Sequence, residues 1–305
     1  MNKDELKEFV LSNPNLVSMK PCGEGIFVLK YKKRVFFDNL WNDFLEECRG
    51  TIVDGDFNIV SRPFTKIYNY GVEDKAPVLA DDTPVTAYRK INGFMVAMTW
   101  YNDAILVSTT GSTDNDYVNY AKEMMTKQMP WGDWEVIIKP NAGVTYMFEC
   151  VHPNDPHIIP EKEGMYFLGA RANTWDSKVN GYGLNTALYW RVVNGAMFMA
   201  HPMEFHNVTI GELKKMSKEC KHEGFVFYTE DGRSAKIKSP YYLTSKWVAR
   251  NPRTDKLVNM QADIKKNLDE EYYPLVDAIR ANIVEYTSMD EQARLSWVRN
   301  YLEVA

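Results

Sequence analysis

The stretch Tyr88-Arg89-Lys90-Ile91-Asn92-Gly93-Phe94 places a lysine two residues before an Asn-Gly pair, between runs of strand-forming residues. Taken alone, Asn-Gly between alternating apolar residues is the strongest short-range signal for a type I′ turn, so Lys90 to Gly93 reads as the mouth of a β-hairpin. A lysine at that mouth, with a small glycine nearby, also lets an ε-amine meet a phosphate that backbone approaches closely. Such an amine must be neutral to attack, and cationic neighbours depress its pKa.

Outward from this stretch, short β-rich runs dominate. Upstream lie Ile26-Phe27-Val28-Leu29, Val35-Phe36-Phe37, Thr51-Ile52-Val53, Ile59-Val60 and Ile67-Tyr68, behind an N-terminal helix read from Leu6, Phe9 and Val10. Downstream, Phe94 to Val107 continues the strands, Asp114 to Met129 has helical spacing, and further strands are read at Trp134–Ile138, Thr145–Cys150, Met165–Ala170, Phe225–Tyr228 and Ala235–Lys238. Thr209-x-x-Glu212 is a capping box that opens a helix. The pattern predicts an α+β fold built on antiparallel sheets. After Tyr241 the texture changes: Leu257 to Ile283 and, from a second capping box at Ser288-x-x-Glu291, Gln292 to Val304 carry helical periodicity. A small all-helical C-terminal domain over residues 245–305 is therefore expected behind a larger domain over 1–244.

Composition narrows the class. The chain has 305 residues, is 45% hydrophobic and 25% charged, and is long enough for one large or two modest domains. No apolar run reaches the ~18 to 20 residues of a bilayer span, and Met1-Asn2-Lys3-Asp4-Glu5 opens without the apolar stretch of a signal peptide, so a cytoplasmic protein with no membrane partner is expected. Cys22, Cys48, Cys150 and Cys220 form no Cys-x-x-Cys pair and read as reduced thiols, and His152 and His157 beside Cys150 lack further ligands at metal spacing. A net charge of −5 argues against unspecific coating of nucleic acid, but Gly211 to Arg250 holds nine basic residues against five acidic ones. That local excess suggests a phosphate site.

Downstream of Lys90 stand Phe148-Glu149, Glu223-Gly224-Phe225-Val226 and Lys236-Ile237-Lys238. Singly, each has an ordinary reading: a strand-end carboxylate, a turn, and an amphipathic strand whose two lysines share one face. Together and in this order they are far less expected by chance. Upstream, Glu47-Cys48-Arg49-Gly50 and Ser61-Arg62-Pro63-Phe64-Thr65-Lys66-Ile67-Tyr68-Asn69 add two further segments.

This set resembles the covalent lysine nucleotidyltransferases, and most closely the bacteriophage RNA ligase 1 family. The resemblance runs from about Glu47 to Tyr242. It implies an antiparallel-sheet adenylation domain and an ATP-dependent RNA ligase that joins 5′-phosphate and 3′-hydroxyl ends through lysyl-AMP and RNA-adenylate intermediates. By the same resemblance Lys90 is the nucleophile, and Arg49, Lys66, Tyr68, Gly93, Glu149, Glu223, Lys236, Lys238 and Tyr242 form the nucleotide site. Glu223 would hold Mg²⁺, with Mn²⁺ as the alternative ion. A monomer acting in the cytoplasm of an infected host, with nicked tRNA as one candidate substrate, is the accompanying expectation. Tyr241 and Tyr242 are left between stacking on adenine and packing. One departure stands out: in Val107-Ser108-Thr109-Thr110-Gly111-Ser112, Thr110 occupies the place where the family usually has a lysine. A hydroxyl can bond a phosphate but cannot neutralise it. DNA ligases and mRNA-capping enzymes use the same lysine chemistry, but they append a strand-rich domain where this chain reads as helices. A non-catalytic RNA- or nucleotide-binding module of the same fold is a further alternative, which the retained lysines and glutamates disfavour.

Overall fold

Asn2 caps the first helix: its side chain accepts from the Glu5 amide at 3.0 Å while Glu5 accepts from the Asn2 N–H at 2.8 Å. The computed structural model describes residues 1–23, 25–155, 157–177, 200–250 and 273–304. This helix, α1 (Lys3–Ser12), buries Leu6 and Val10 one turn apart against a sheet of β1 (Val17–Gly23), β2 (Ile26–Tyr31), β3 (Arg49–Asp54) and β4 (Ile59–Ser61), antiparallel in that order. Between β2 and β3 come two short helices, α2 (Lys33–Phe37) and α3 (Asp43–Glu47). Helix α2 corrects the strand read at Val35-Phe36-Phe37. Only Val35 is buried, while Phe36 and Phe37 face solvent, so the run offers one inward side chain and no sheet face. Ile67-Tyr68 also lies outside any strand; the chain there is extended and touches the second sheet through the Asn69 and Lys236 bridge.

The remaining strands form two further antiparallel sheets. One takes β7 (Ala104–Ser108), β6 (Phe94–Tyr101), β8 (Val144–Val151) and β9 (Gly164–Ala172) in that spatial order. The other takes β10 (Glu204–Thr209), β5 (Pro84–Arg89), β11 (Gly224–Tyr228) and β12 (Ser234–Lys238). β5 and β6 therefore belong to different sheets, which overturns the hairpin reading of Asn92-Gly93. Neither residue takes the positive φ that a type I′ turn requires. The chain instead crosses from one sheet to the next at Lys90, which puts the lysine in the cleft between them.

Helices cover the outer faces. α4 (Asp116–Gln128) and α5 (Trp131–Ile138) pack Val118, Met125, Trp134 and Ile138 on Val96, Tyr146 and Phe148, so β8 is buried along its whole length. α5 corrects the strand read at Trp134–Ile138. A short apolar run cannot distinguish strand from helix by itself; here Trp134 and Ile138 are both wholly buried at a spacing of one helical turn, and the Trp134 indole donates to Met125 O at 3.0 Å. α6 (Ile210–Glu219) starts from the Thr209 and Glu212 capping box and buries Ile210 and Leu213 against β5 and β11.

α7 (Pro240–Arg250) begins directly after β12, with Ser239 Oγ accepting from the Tyr242 amide at 3.1 Å, so residue 245 falls inside this helix. Residues 257–272 of the helical run expected over Leu257–Ile283 lie outside the described residues. Beyond them α8 (Tyr273–Ala281), α9 (Ile283–Ser288) and α10 (Glu291–Val304) share a core of Leu275, Val276, Ile279, Tyr286 and Val298. The cap of α10 is Asp290, whose carboxylate accepts from the Ala293 amide at 2.8 Å. Ser288, expected as the capping residue, instead ends α9 and donates to Glu285 O at 2.7 Å.

Candidate active site

Lys90 follows β5 directly, and its amide donates to Gly224 O at 2.8 Å, so its backbone is pinned to the neighbouring strand β11. The side chain runs into the cleft. Its Nζ lies 3.1 Å from Glu223 Oε2 and 3.9 Å from Glu149 Oε1, and 22% of the side chain remains exposed. Glu149 comes from β8 and also accepts from the Gly93 amide at 3.1 Å. Gly93 is needed for space: a Cβ there would lie 2.3 Å from Cys150 O, so any other residue would push β8 away.

Glu223 is the hub. Its Oε1 faces Lys238 Nζ at 3.2 Å, and its Oε2 accepts from Asn92 Nδ2 at 2.6 Å as well as facing Lys90. Asn92 in turn accepts from the Ile159 amide at 2.9 Å, so this asparagine ties the Glu223 carboxylate to the loop after β8 in place of making a turn. Burial opposes ionisation of Glu223, but Lys90 and Lys238 outweigh it and hold the carboxyl below its ordinary value. For Lys90, burial works against the ammonium and Glu149 and Glu223 work for it; the acids win and its pKa is raised. Glu149 is pushed upward by burial, and by the nearby Glu223, despite Lys90.

β12 alternates as its sequence predicts, with Ile237 against the core of the second sheet and Lys236 turned to the cleft. Lys236 is the electrostatic opposite of Lys90. Burial, with Arg49, Lys238, Lys66 and Lys90 nearby, depresses its pKa to about 7. Arg49 enters from the first sheet, its Nη1 4.0 Å from Met95 Sδ. Arg49, Lys90, Glu149 and Lys236 share the wall of a cavity of about 380 Å³, within the usual size range of small-ligand sites. The rest of that wall is largely apolar: Ile91, Met95, Phe167, Pro202 and Val226 line an apolar slot bordered by Tyr88, Tyr228 and the His201 side chain.

Three expected residues lie close by but are engaged with other partners. Lys66 forms a close ion pair with Glu73, and its Nζ lies 4.6 Å from the Trp41 ring and 4.3 Å from the Tyr68 ring. The Tyr68 hydroxyl donates to Glu46 at 2.6 Å, and its ring belongs to the core under the first sheet. Tyr242 is buried with Tyr241, Ile158, Ile159, Ala249 and Leu295; its ring lies 4.7 Å from Lys238 Nζ, so it packs behind the lysine and away from the slot. Sequence reasoning passed over Asn92 because it was taken for a turn residue, and Met95 and Phe167 because an apolar residue in a strand signals only core. The buried Glu161, paired with Arg89 at 2.8 Å beside the cleft, lies in a loop that carries no local signal.

A sequence profile described as RNA ligase matches residues 47–242, which include every residue placed in this cleft. The chain belongs to this RNA ligase family. A curated RNA ligase from Rhodothermus phage RM378 is 23% identical over 185 residues, and the chain spans only 41% of that relative's length. That alignment covers 48% of this chain. Among solved structures, an archaeal ATP-dependent RNA ligase matches with a TM-score of 0.58 at 13% identity, over 94% of this chain and 77% of that one. A chain from Aquifex aeolicus, provisionally named an ATP-dependent DNA ligase, matches with a TM-score of 0.54 at 16% identity, over 97% of this chain and 76% of that one. At these identities the structural likeness establishes the fold.

Proposed function

We propose that the protein is an ATP-dependent RNA ligase that joins 5′-phosphate and 3′-hydroxyl ends through a lysyl-AMP on Lys90. The observation that carries this reading is the Lys90 amine, held between Glu149 and Glu223 at the floor of a cavity with an apolar slot on one side and Arg49 and Lys236 on the other. Adenine fits the slot, which directs the triphosphate toward the cations. The amine then forms a bond to the α-phosphorus as the bond to pyrophosphate breaks in line, with the electron pair leaving on pyrophosphate.

Lys90 starts as an ammonium, so its proton must leave first; Glu223 Oε2 is the nearest carboxylate acceptor, at 3.1 Å. Lys236, with its pKa lowered to about 7, is only partly protonated near neutral pH, gains its full charge once phosphate arrives and so stabilises charge that builds on the α-phosphate. Glu149 is placed to accept hydrogen bonds from ribose hydroxyls. Lys236 and Lys238 would serve again when AMP passes to the RNA 5′-phosphate and when a 3′-hydroxyl expels it.

The donor set at Glu223 consists of carboxylate oxygens, which suits a hard divalent cation bound through one or two carboxylates with substrate phosphates completing the shell. Glu223 would hold Mg²⁺ or Mn²⁺, which when bound supplies charge neutralisation to the phosphates. Residues 245–305 would act as an RNA-selecting unit that begins within α7, with a cleaved tRNA stem-loop as the candidate substrate, and the protein would work as a cytoplasmic monomer. Among the described residues no helix is long and apolar enough to cross a membrane. The test is incubation with α-labelled ATP, magnesium and a 5′-phosphorylated RNA. Label on the denatured chain followed by transfer and joined RNA is expected; label on the chain with no joining of any RNA would remove the ligase assignment.

A further inference from the structure

The place just before Gly111-Ser112, where the resemblance leads one to expect a lysine, is Thr110 in this chain, but Lys30, from another sheet, sets its ammonium beside the next residue, Gly111. Lys30 lies at the end of β2 and pairs in register with Arg49 at the start of β3, across an irregularity at Gly50. Gly50 takes φ +102°, and a Cβ on it would lie 2.9 Å from Thr110 Cα, so the 109–112 turn is seated directly on the β2 and β3 edge. Gly111 completes the fit. A Cβ there would come within 2.8 Å of Lys30 Nζ and 3.3 Å of its Cδ, so the missing side chain of Gly111 is the space the lysine fills. Lys30 is exposed and makes no ion pair with a carboxylate among the described residues, unlike Lys66, Lys90 and Lys238. Its register partner Arg49 reaches the cleft wall.

We propose that Lys30 binds the outer phosphates of ATP, the part that departs as pyrophosphate, at the Thr110 and Gly111 edge of the cleft. The proposal rests on the reading of the cleft as an adenylation site. When Lys90 Nζ bonds to the α-phosphorus, the pair of the breaking phosphorus–oxygen bond goes to pyrophosphate, and Lys30 with Arg49 neutralises the charge that collects there. Lys30 makes no contact with AMP in this scheme. It therefore matters only while the triphosphate is intact or while pyrophosphate attacks in reverse, and Thr110 adds a neutral hydrogen bond.

The test compares two reactions of the full chain: lysine labelling as a function of ATP concentration, and sealing of RNA that already carries a 5′-adenylate. Lys30→Ala should raise the ATP concentration for half-maximal labelling by roughly 10- to 100-fold, the range for losing a hydrogen bond to a charged group. It should slow release of label by pyrophosphate and leave sealing of adenylated RNA at the wild-type rate. Lys30→Arg should stay near wild type, and Thr110→Lys added to Lys30→Ala should recover most of the loss. Wild-type ATP dependence in Lys30→Ala would overturn the proposal, as would an equal loss in both reactions, which would make Lys30 a prop for the β2 edge. Failure of Thr110→Lys to restore would also overturn it. Absence of labelling in the wild-type chain would instead refute the adenylation reading itself.

Discussion

At the Lys90 end of the cleft the cations are matched by carboxylates, Lys90 by Glu223 and Glu149 and Lys238 by Glu223, whereas Arg49 and Lys236 on the cavity wall form no ion pair among the described residues. The same residue type therefore titrates in opposite directions within one cleft. Lys90 is held charged and unreactive, while Lys236 is pushed down to about 7 by burial and by its cationic neighbours. The contrast shows how the free protein is poised. Lys90 is tied to acids, and the cations on the other wall have no carboxylate partner among the described residues, which on the proposed reading leaves them for the phosphates of a nucleotide.

The largest effect expected from breaking this contrast is at the guarded end. Lys90→Ala should leave a folded protein with no covalent AMP, and Lys90→Arg should fail equally because guanidinium stays protonated. Residual label on either variant, followed on denaturing gels, would show that the acids guard the wrong amine. At the open end, Lys236→Ala or Lys238→Ala should slow lysine adenylation by roughly 100- to 1000-fold, the loss typical of one oxyanion donor, and should also slow sealing of pre-adenylated RNA. Single-turnover rates in both assays check this.

A third prediction sharpens the electrostatic side. The unfolded chain holds the Lys236 proton up to its ordinary value of 10.5, and the folded chain releases it near 7. Between these values the unfolded state binds more protons, so the cost of burying this lysine is full at and below pH 7 and fades as pH rises toward 10.5. Lys236→Met should therefore raise the melting temperature most at or below pH 7, with the gain shrinking in alkali. A pH-independent change in thermal melts would deny that Lys236 is strained in its charged form. For the same reason, pyrophosphate binding above pH 7 should draw a proton from buffer, which calorimetry in buffers of different ionisation enthalpy measures.

The smallest predicted effect concerns the tail. Ala249 and Leu295 share a core with Ile158, Ile159, Tyr241 and Tyr242, and the Ile159 amide bonds Asn92, which in turn bonds Glu223. Removing residues 245–305 should therefore lower stability by about 2 to 5 kcal/mol, the range for opening a cavity at buried apolar residues, and should weaken joining of structured RNA more than of short unstructured RNA. A soluble truncation of unchanged stability that joins both equally would separate the tail from the site.

The cleft was more legible in sequence than the fold around it. Lys90, Glu149, Glu223, Lys236 and Lys238 each sit in a short segment that the family resemblance picks out, and the structure brings all five together. Asn92-Gly93 misled because a local turn signal does not reveal that β5 and β6 belong to different sheets. Trp134–Ile138 misled because five apolar-rich residues fit one turn of buried helix as well as a strand. Lys30 was invisible for another reason: its neighbours in space, Arg49 and Gly111, are brought to it by a bulge at Gly50 and a missing side chain, and neither leaves a mark near residue 30.

The central claim, that the guarded lysine is the one that carries AMP, is tested most directly by mapping the adduct after incubation with ATP and magnesium. Peptide mass analysis of the acid-quenched or base-quenched chain should place AMP on the peptide holding Lys90, under the quench that preserves a phosphoramidate, with no AMP on Lys30, Lys236 or Lys238. AMP on any of those three lysines, or on a residue outside the cleft, would contradict the account.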